Sequence, residues 1–278
     1  MQSYLKLLTA LPLMYLAACD SNTPTSTAPK ASEPAPTAAA STPASDKPNY
    51  VVISQYSYPP FATRAADGSL VGMDMDLLNA IAEKQGFTLT FLPHNMSGLL
   101  ENVNEGRADI VATGVNITPE RLEKYEFSKP YLEGNWVALL NREKNKVGSW
   151  AELKNKAIAV QESSLSETQL KSTEITNQPL LVKTVYLGLN AVNKGDAVAV
   201  YDVDSVLNTY FKDNPNYYTV VDEKSGKIPF GFVMKKGNTE LKAKLDKGID
   251  EIQADGTYQK ILDKWYPKAE GSDKNQAK

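Results

Sequence analysis

The chain has 278 residues, and its 30 basic and 33 acidic side chains leave a formal net charge of −3 at pH 7. Cations and anions are interspersed, so we expect no basic surface of the kind that binds nucleic acid. The single cysteine excludes an intramolecular disulfide bond, so the folded part must be stabilised by its core.

Residues 1–18 predict the signal peptide of a lipoprotein. They contain one cation, Lys6, and an apolar run that is interrupted by Pro12 and is too short to span a bilayer. The run ends in LAAC, which resembles a bacterial lipobox. We predict cleavage before Cys19 and acylation of its thiol. An ordinary secretory signal with a chance cysteine is the alternative.

Residues 19–48 predict a disordered tether. The stretch 21–48 contains six prolines but no aromatic and no branched aliphatic residue, so it cannot bury enough apolar surface to offset chain entropy. Folded sequence is therefore expected from Asn49 onward. The remaining chain is longer than the commonest single domain and suits two lobes.

The first part of the folded chain predicts a β-α-β-α-β series. YVVISQY (50–56), FTLTFL (87–92) and ADIVATG (108–114) have strand patterns, while MDMDLLNAIAEKQG (73–86) places its leucines and isoleucine on one helical face. SGLLENVNEG predicts a short helix between the second and third strands. This order predicts a mainly parallel sheet with right-handed crossovers.

A second α/β series follows and predicts an inserted lobe. It lies between two predicted crossover strands, NWVALLNRE (135–143) and IPFGFVMKK (228–236), and two helices then end the fold. We predict a first lobe from residues 49–138 and 232–268, a second lobe from 139–231, and a tail at 269–278. Two lobes joined by two strands suggest a hinge and a ligand cleft.

The stretch NITPERLEKYEFSKPY (116–131) contains an unusual helix start. Thr118 is suited to the N-cap and Pro119 to the first helical position. Arg121 then stands where a capping box would have Glu or Gln, at a cost of about 0.3–1 kcal/mol against the helix dipole. From the pattern alone, Arg121 either pairs with a neighbour such as Glu123 or has a partner outside the chain.

The sequence contains no arrangement that predicts a catalytic or metal centre. His94 is the only histidine, and it follows a predicted strand. Asp74 and Asp76 are interpreted as acids favoured at a helix start. No Ser-His-Asp set, phosphate loop or dinucleotide fingerprint is present, so we expect neither a metal nor a cofactor.

Three stretches resemble one protein family: YPPFATRAADGSLVGMDMDLLNAIAEKQG, GRADIVATGVNITPERLEKYEFSKPYLEG and IQADGTYQKILDKWY. They are similar to the extracellular solute-binding proteins of bacterial polar amino-acid ABC importers, and the resemblance covers roughly residues 49–266. It implies an α/β fold of the type II periplasmic-binding-protein class, with two lobes joined by two crossover strands.

The resemblance also implies a set of ligand-binding residues between the lobes. Arg121 would bind the α-carboxylate of an amino acid, and Gly114 and Asn116 would contact the amino group and carboxylate. Ser163 and Ser164 would bind the carboxylate from the second lobe. Asn116 stands where the family more often has Ser or Thr, and its longer side chain offers both a donor and an acceptor.

On the same basis Asp202 would pair with the ligand ammonium, and Asp204 is a second candidate. Tyr58 would cover the ligand side chain, with Phe61 behind it. Glu162 departs from the glycine that is frequent at its position.

The expected function is capture of a free amino acid and its delivery to a membrane permease of an ABC importer, without catalysis. The protein would be a monomer, tethered in the periplasm through lipid on Cys19. The rival is a cyclohexadienyl dehydratase-like enzyme, in which Asp202, Glu162 or His94 would supply the acid. A sensor domain is a third reading. The sequence leaves open which amino acid is bound and which membrane holds the anchor.

Overall fold

The computed structural model describes residues 47–211 and 214–266. The predicted signal peptide, the lipidation site Cys19, nearly all of the tether and the tail at 269–278 lie outside the described residues. Within the described ranges, no helix is both long and apolar enough to cross a membrane.

Strands and helices alternate along the chain. The strands are β1 (Asn49–Gln55), β2 (Ser57–Tyr58), β3 (Ala62–Arg64), β4 (Leu70–Val71), β5 (Thr88–His94), β6 (Ile110–Val111), β7 (Tyr125–Phe127), β8 (Leu132–Asn141), β9 (Ile158–Gln161), β10 (Pro179–Val182), β11 (Ala199–Val203), β12 (Tyr217–Val221), β13 (Lys227–Phe230) and β14 (Val233–Lys235). The helices are α1 (Met73–Gln85), α2 (Glu101–Asn104), α3 (Pro119–Lys124), α4 (Leu165–Ser172), α5 (Val185–Lys194), α6 (Asp204–Phe211), α7 (Thr239–Ala254) and α8 (Thr257–Trp265), and a 3-10 turn covers Trp150–Leu153.

The first sheet has the strand order β5-β1-β6-β14-β7. Strand β1 pairs in parallel with β5 and β6, whereas β14 runs antiparallel to β6 and β7. The carboxyl ends of β1 and β6 therefore lie at the same edge of the sheet. Strand β14 comes from near the end of the folded chain, so the chain returns to the first sheet after the second α/β series.

The second sheet has the order β10-β9-β11-β8-β12, and β13 pairs with one end of β8. Strand β9 is parallel to β10 and β11, while β8 is antiparallel to β11. Its core is aromatic: the Trp136 ring stacks on Tyr201 with 5.6 Å between ring centroids. This sheet places the carboxyl ends of β9 and β11 side by side.

The return crossover differs from its prediction. The sequence pattern predicts one strand over 228–236, but the chain forms β13 in the second sheet and β14 in the first, with a break at Gly231 and Phe232. A side chain at Gly231 would lie 2.9 Å from Cδ1 of Ile117, and Phe232 stacks on Tyr131 at 4.6 Å. The chain changes sheets at this close-packed point.

Helix α1 confirms its predicted bounds and its buried face. Leu77, Leu78 and Ile81 are at most 1% exposed, and Gly86 ends the helix with a φ of 71°, in the left-handed region that favours glycine. Glycine at 248 allows α7 to approach closely, because a side chain there would lie 2.5 Å from Ile81. This close approach packs α1 against α7.

Several short elements escape the sequence pattern. The three-stranded β2-β3-β4 sheet, β7 and β12 are not predicted, and the predicted strand at 108–114 is reduced to Ile110–Val111. The residues after Val111 leave the sheet as a loop. That loop, and the β2 strand that carries Tyr58, border the site.

Candidate functional site

A cavity of about 30 Å³ lies between residues of the two lobes. The first lobe lines this inner cavity with Tyr58, Thr113, Gly114, Asn116 and Arg121, and the second lobe lines it with Gln161, Ser164 and Ser166. An adjoining outer chamber of about 470 Å³ shares Gln55, Met96 and Gln161 with it. The carboxyl ends of β1 and β9 meet here, as is usual for ligand sites in α/β sheets.

Arg121 reaches the inner cavity from the first turn of α3. The Thr118 hydroxyl accepts a hydrogen bond from the Arg121 backbone N–H at 3.2 Å, and Pro119 occupies the first turn, so the predicted helix start is confirmed. One guanidinium nitrogen, Nη1, donates to the Asn116 carbonyl at 2.8 Å. Arg121 is in none of the ion pairs among the described residues. Burial lowers the pKa of this guanidinium, and the charge has no anionic partner there.

Asp202 provides the opposite charge from the end of β11 in the second lobe. Its Oδ1 accepts three hydrogen bonds, from the Tyr58 hydroxyl at 2.9 Å, the Ser166 hydroxyl at 2.9 Å and the Val203 N–H at 2.8 Å. Its Oδ2 is buried and has no hydrogen-bond partner among the described residues. Burial raises the pKa of Asp202 to about 6, although the three donors counteract the increase.

Two further polar atoms at the inner cavity are unpartnered. The Thr113 hydroxyl and the Asn116 side-chain nitrogen are buried and make no hydrogen bond within the described part of the chain. Buried polar groups are normally hydrogen-bonded, so such atoms in one small cavity require an explanation. Together with Arg121 and Asp202 Oδ2 they offer one cation, one anion, an amide donor and a hydroxyl. That set can bind a small zwitterion.

Residues 50–268 match the family model of the bacterial extracellular solute-binding proteins, family 3. The chain belongs to this family. It is 28% identical over 228 residues to ABC transporter arginine-binding protein 1 of Escherichia coli (strain K12), covering 81% of this chain and 92% of that protein.

Solved structures agree with the family assignment. An ancestral arginine-binding protein bound to glutamine has a TM-score of 0.71 and 32% identity, covering 80% of this chain and 99% of that one. The ancestral amino acid-binding protein AncCDT-1, a precursor of cyclohexadienyl dehydratase, has a TM-score of 0.72 and 28% identity, covering 78% and 95% of the two chains. The two-lobed type II periplasmic-binding-protein fold is thereby confirmed.

In this solute-binding protein only one of the two polar backbone groups of Gly114 is available to a ligand. Its N–H donates to Oδ2 of Asp74 at 2.7 Å, so a ligand contact by Gly114 would use the carbonyl oxygen. Its φ of 62° is in the left-handed region, and a side chain would lie 2.5 Å from the Phe61 ring. Glycine is therefore required by both conformation and space.

Ser163 and Ser164 use their polar groups inside the chain. The Ser164 hydroxyl caps α4, accepting from the Glu167 N–H at 3.1 Å and donating to the Gln161 carbonyl at 2.6 Å. The Ser163 N–H donates to the Glu167 carboxylate at 2.6 Å, and Ser163 borders the outer chamber rather than the inner cavity. Their contact with a ligand carboxylate stays a prediction.

The remaining predicted residues occupy distinct places. Phe61 is fully buried and stacks on Tyr58 at 6.0 Å, so it supports that ring from behind. Asp204 accepts from the backbone N–H and the side-chain nitrogen of Asn135, at 3.1 and 2.7 Å, and so fixes the crossover strand β8. Of the two candidate aspartates, Asp202 is the one bonded to residues that line the inner cavity.

Sequence reasoning missed Thr113, Ser166 and Gln55. Thr113 follows the carboxyl end of β6 and Gln55 ends β1, so the rule that ligands bind at the carboxyl ends of parallel strands could have found both. Ser166 is one residue into α4, and only its bond to Asp202 reveals it.

Two other features, His94 and a groove in the second lobe, are weaker candidates for the functional site. His94 lines the outer chamber, but no group of three or more His, Cys, Asp or Glu in the described ranges could hold a metal ion. A more open groove of about 1160 Å³ passes Trp150, Lys154 and Asp222. It is built from the second lobe alone, so closure of the lobes cannot enclose a ligand there.

Proposed function

We propose that this protein captures a free amino acid in the inner cavity and delivers it to the membrane permease of an ABC importer. One observation carries the proposal: Arg121 lines the inner cavity from the first lobe as a cation without an anionic partner. Asp202 stands behind the same cavity in the second lobe, bonded to the lining residues Tyr58 and Ser166 through Oδ1 and with Oδ2 unpartnered. The α-carboxylate would bind Arg121 and Asn116, and the α-ammonium would bind Asp202 and Thr113.

The physical basis is the cost of leaving charges unpaired. A buried polar group without a partner costs about 1–3 kcal/mol, and a charged one more, so a zwitterion that satisfies all four groups is strongly favoured. A guanidinium also forms two parallel bonds to a carboxylate, which a point charge cannot do. The bound glutamine in an ancestral arginine-binding protein supports the amino-acid class without fixing the side chain.

Entry of the ligand requires movement of the lobes. A cavity of about 30 Å³ holds roughly one or two water molecules, which is less than an amino acid needs. We infer that residues 49–138 with 232–268 and residues 139–231 separate about the paired crossover strands β8 and β13. Small-angle scattering should give a smaller radius of gyration with ligand than without, and an unchanged radius at saturation would contradict the hinge.

The protein would act without catalysis. The alternative, a cyclohexadienyl dehydratase-like enzyme, has some support because AncCDT-1 is a precursor of such an enzyme on the same fold. However, among the described residues the groups bonded to Asp202 are two hydroxyls and a backbone N–H, so no second acid or base is bonded to it to assist an elimination. Formation of phenylpyruvate from prephenate would overturn this proposal.

Anchoring is proposed from the sequence of the amino terminus. Acylated Cys19 and the tether that follows would hold the lobes in the periplasm beside the permease. Metabolic labelling with a fatty acid should mark the parent and not the Cys19→Ser variant. Equal labelling of both would exclude the lipobox.

The decisive test of the function is a thermal-shift screen of the mature protein against the twenty common L-amino acids and L-cystine. A ligand at 100 times its dissociation constant stabilises the protein by about 2.7 kcal/mol, a clear shift in melting temperature. Absence of a shift with every compound would contradict amino-acid capture.

A further inference from the structure

The Asp74 carboxylate is buried against the loop that follows β6 and contains Thr113, Gly114 and Asn116, here called the binding loop. It is 0% exposed although it stands in the first turn of α1. Its Oδ2 accepts the Gly114 N–H at 2.7 Å, and its Oδ1 accepts the Tyr131 hydroxyl at 2.7 Å. Both oxygens are therefore occupied by groups far from it in sequence, and neither bond belongs to the helix.

The hydrogen bonds from Gly114 and Tyr131 to Asp74 connect the binding loop to the two chain segments that pass between the sheets. Gly114 stands between Thr113 and Asn116, the two residues with unpartnered polar atoms at the inner cavity. Tyr131 directly precedes β8 and stacks on Phe232, which lies in the break of the return crossover. One carboxylate thus connects the start of α1, the loop and both chain segments that pass between the sheets.

The loop needs such support because its strand is short. Strand β6 ends at Val111 after two residues, so the sheet ladder does not hold Thr113 or Gly114. The Asp74 bond fixes the peptide plane before Gly114, and its acceptor is charged whenever Asp74 is ionised. Hydrogen bonds to charged groups are roughly twice as strong as neutral ones.

Helix capping does not account for the burial of Asp74. An acid in the first turn stabilises a helix while it remains exposed, and burial raises the pKa of Asp74 to about 7, a sign that the charged form is disfavoured there. Asp76, two residues later, is half-buried and accepts from Lys264 and Trp265 of α8, both at 2.7 Å. Asp76 holds a neighbouring helix, whereas Asp74 holds the loop.

We propose that Asp74 is a positioning residue of the amino-acid site, whose negative charge fixes the Gly114 peptide so that Thr113 and Asn116 face the ligand. This inference rests on the proposed function. It predicts that ligand affinity depends on the charge of Asp74, whereas the stability of the ligand-free fold does not. An ordinary buried structural residue would affect stability first.

The test compares Asp74→Asn with Asp76→Asn in the mature protein. Both changes remove one acid from the first turn of the same helix, so any effect on the helix dipole is matched. The amino acid that gives the largest thermal shift in the panel of twenty L-amino acids and L-cystine is then titrated by calorimetry into each variant. Ligand-free melting curves and the Gly114 amide signal in ¹⁵N-labelled protein are recorded alongside.

Asp74→Asn should weaken binding about tenfold or more, since a neutral acceptor replaces a charged one. Its ligand-free melting temperature should change little, because the amide oxygen can accept from the Gly114 N–H while the amide nitrogen donates to the Tyr131 hydroxyl oxygen. Its Gly114 amide proton should move upfield. Asp76→Asn should keep the parent affinity and the parent Gly114 signal.

Three results would overturn the inference: Asp74→Asn binds as the parent does, Asp74→Asn fails to fold, or Asp76→Asn loses as much affinity. If the parent itself binds no compound of the panel, the proposed function fails instead. In that case the Gly114 amide signal still reports whether the Gly114 N–H is bonded to an ionised Asp74 carboxylate.

Discussion

Asp74 and Asp202 are two buried carboxylates with different environments. Both are at most 1% exposed, and burial raises their pKa values to about 7 and about 6. Asp74 has a donor on each oxygen, whereas Asp202 has three donors on one oxygen and none among the described residues on the other. Burial and pKa therefore do not distinguish a supporting carboxylate from a binding one. The distribution of donors between the two oxygens does.

The largest effect is expected from removing Arg121, whose charge is opposite to that of Asp202. Arg121→Ala should abolish measurable amino-acid binding, because loss of one partner of a buried charge pair costs on the order of 2–5 kcal/mol. Arg121→Lys should also bind poorly, since an ammonium cannot form the two parallel hydrogen bonds that the planar guanidinium makes to a carboxylate. Calorimetric titration measures both. The ligand-free melting temperature should not fall, and an Arg121→Ala variant that unfolds would make Arg121 a structural residue.

Replacing Asp202 sharpens the comparison with its neighbour. Asp202→Asn keeps the shape but loses the charge for the ammonium, so the dissociation constant should rise about 100-fold. Asp204→Asn is the matched control, because Asp204 binds Asn135 of the crossover strand and not the cavity. It should lower the melting temperature and leave affinity near that of the parent. The reverse pattern would assign the ammonium to Asp204.

A change of pH should move stability and affinity in opposite directions. Both raised pKa values mean that the folded protein binds protons more tightly than the unfolded chain, whose carboxyls titrate near 3.8. The free energy of unfolding should therefore increase as the pH falls from about 7 towards about 4. Affinity should fall about tenfold from pH 7 to 5 as Asp202 becomes neutral.

Melting curves and titrations over this range check both slopes. Asp202→Asn should remove the part of the pH dependence of affinity that comes from Asp202, and Asp74→Asn should remove the part that comes from Asp74. A parent whose affinity does not change between pH 7 and 5 would contradict a charged contact between Asp202 and the ammonium.

The smallest expected effect concerns Thr113. Thr113→Val keeps the volume and removes the unpartnered hydroxyl, which should weaken binding by about 1 kcal/mol, or roughly fivefold. The ligand-free protein should be slightly more stable, because an unsatisfied buried group disappears. Titration beside melting curves measures this, and an unchanged affinity would place Thr113 outside the ligand shell.

The sequence predicts the elements whose pattern is long and local. The apolar face of α1, the cap at Thr118 and the position of Arg121 in the first turn of α3 follow from spacing alone. The order of strands and helices also predicts the inserted second lobe. These features depend on residues within a few turns of each other.

The parts that could not be predicted depend on contacts between distant residues. Asp74 looks like an ordinary first-turn acid until Gly114, 40 positions away, is seen to bond to it. The strand pattern at 108–114 continues past Val111, but the chain there turns into the loop. Likewise, the apolar run 228–236 gives no sign that Phe230 and Val233 belong to different sheets.

The break in the return crossover has a mechanical consequence. A strand continuous through both sheets would be stiff, because rotating it would disrupt the ladder on either side. With the ladder interrupted at Gly231 and Phe232, torsion can be absorbed by the dihedral angles of two residues. The Gly231 N–H donates to the Val115 carbonyl at 2.9 Å, so the point at which the chain changes sheets is bonded directly to the binding loop. A change in the dihedral angles of Gly231 would therefore displace the residues next to Asn116.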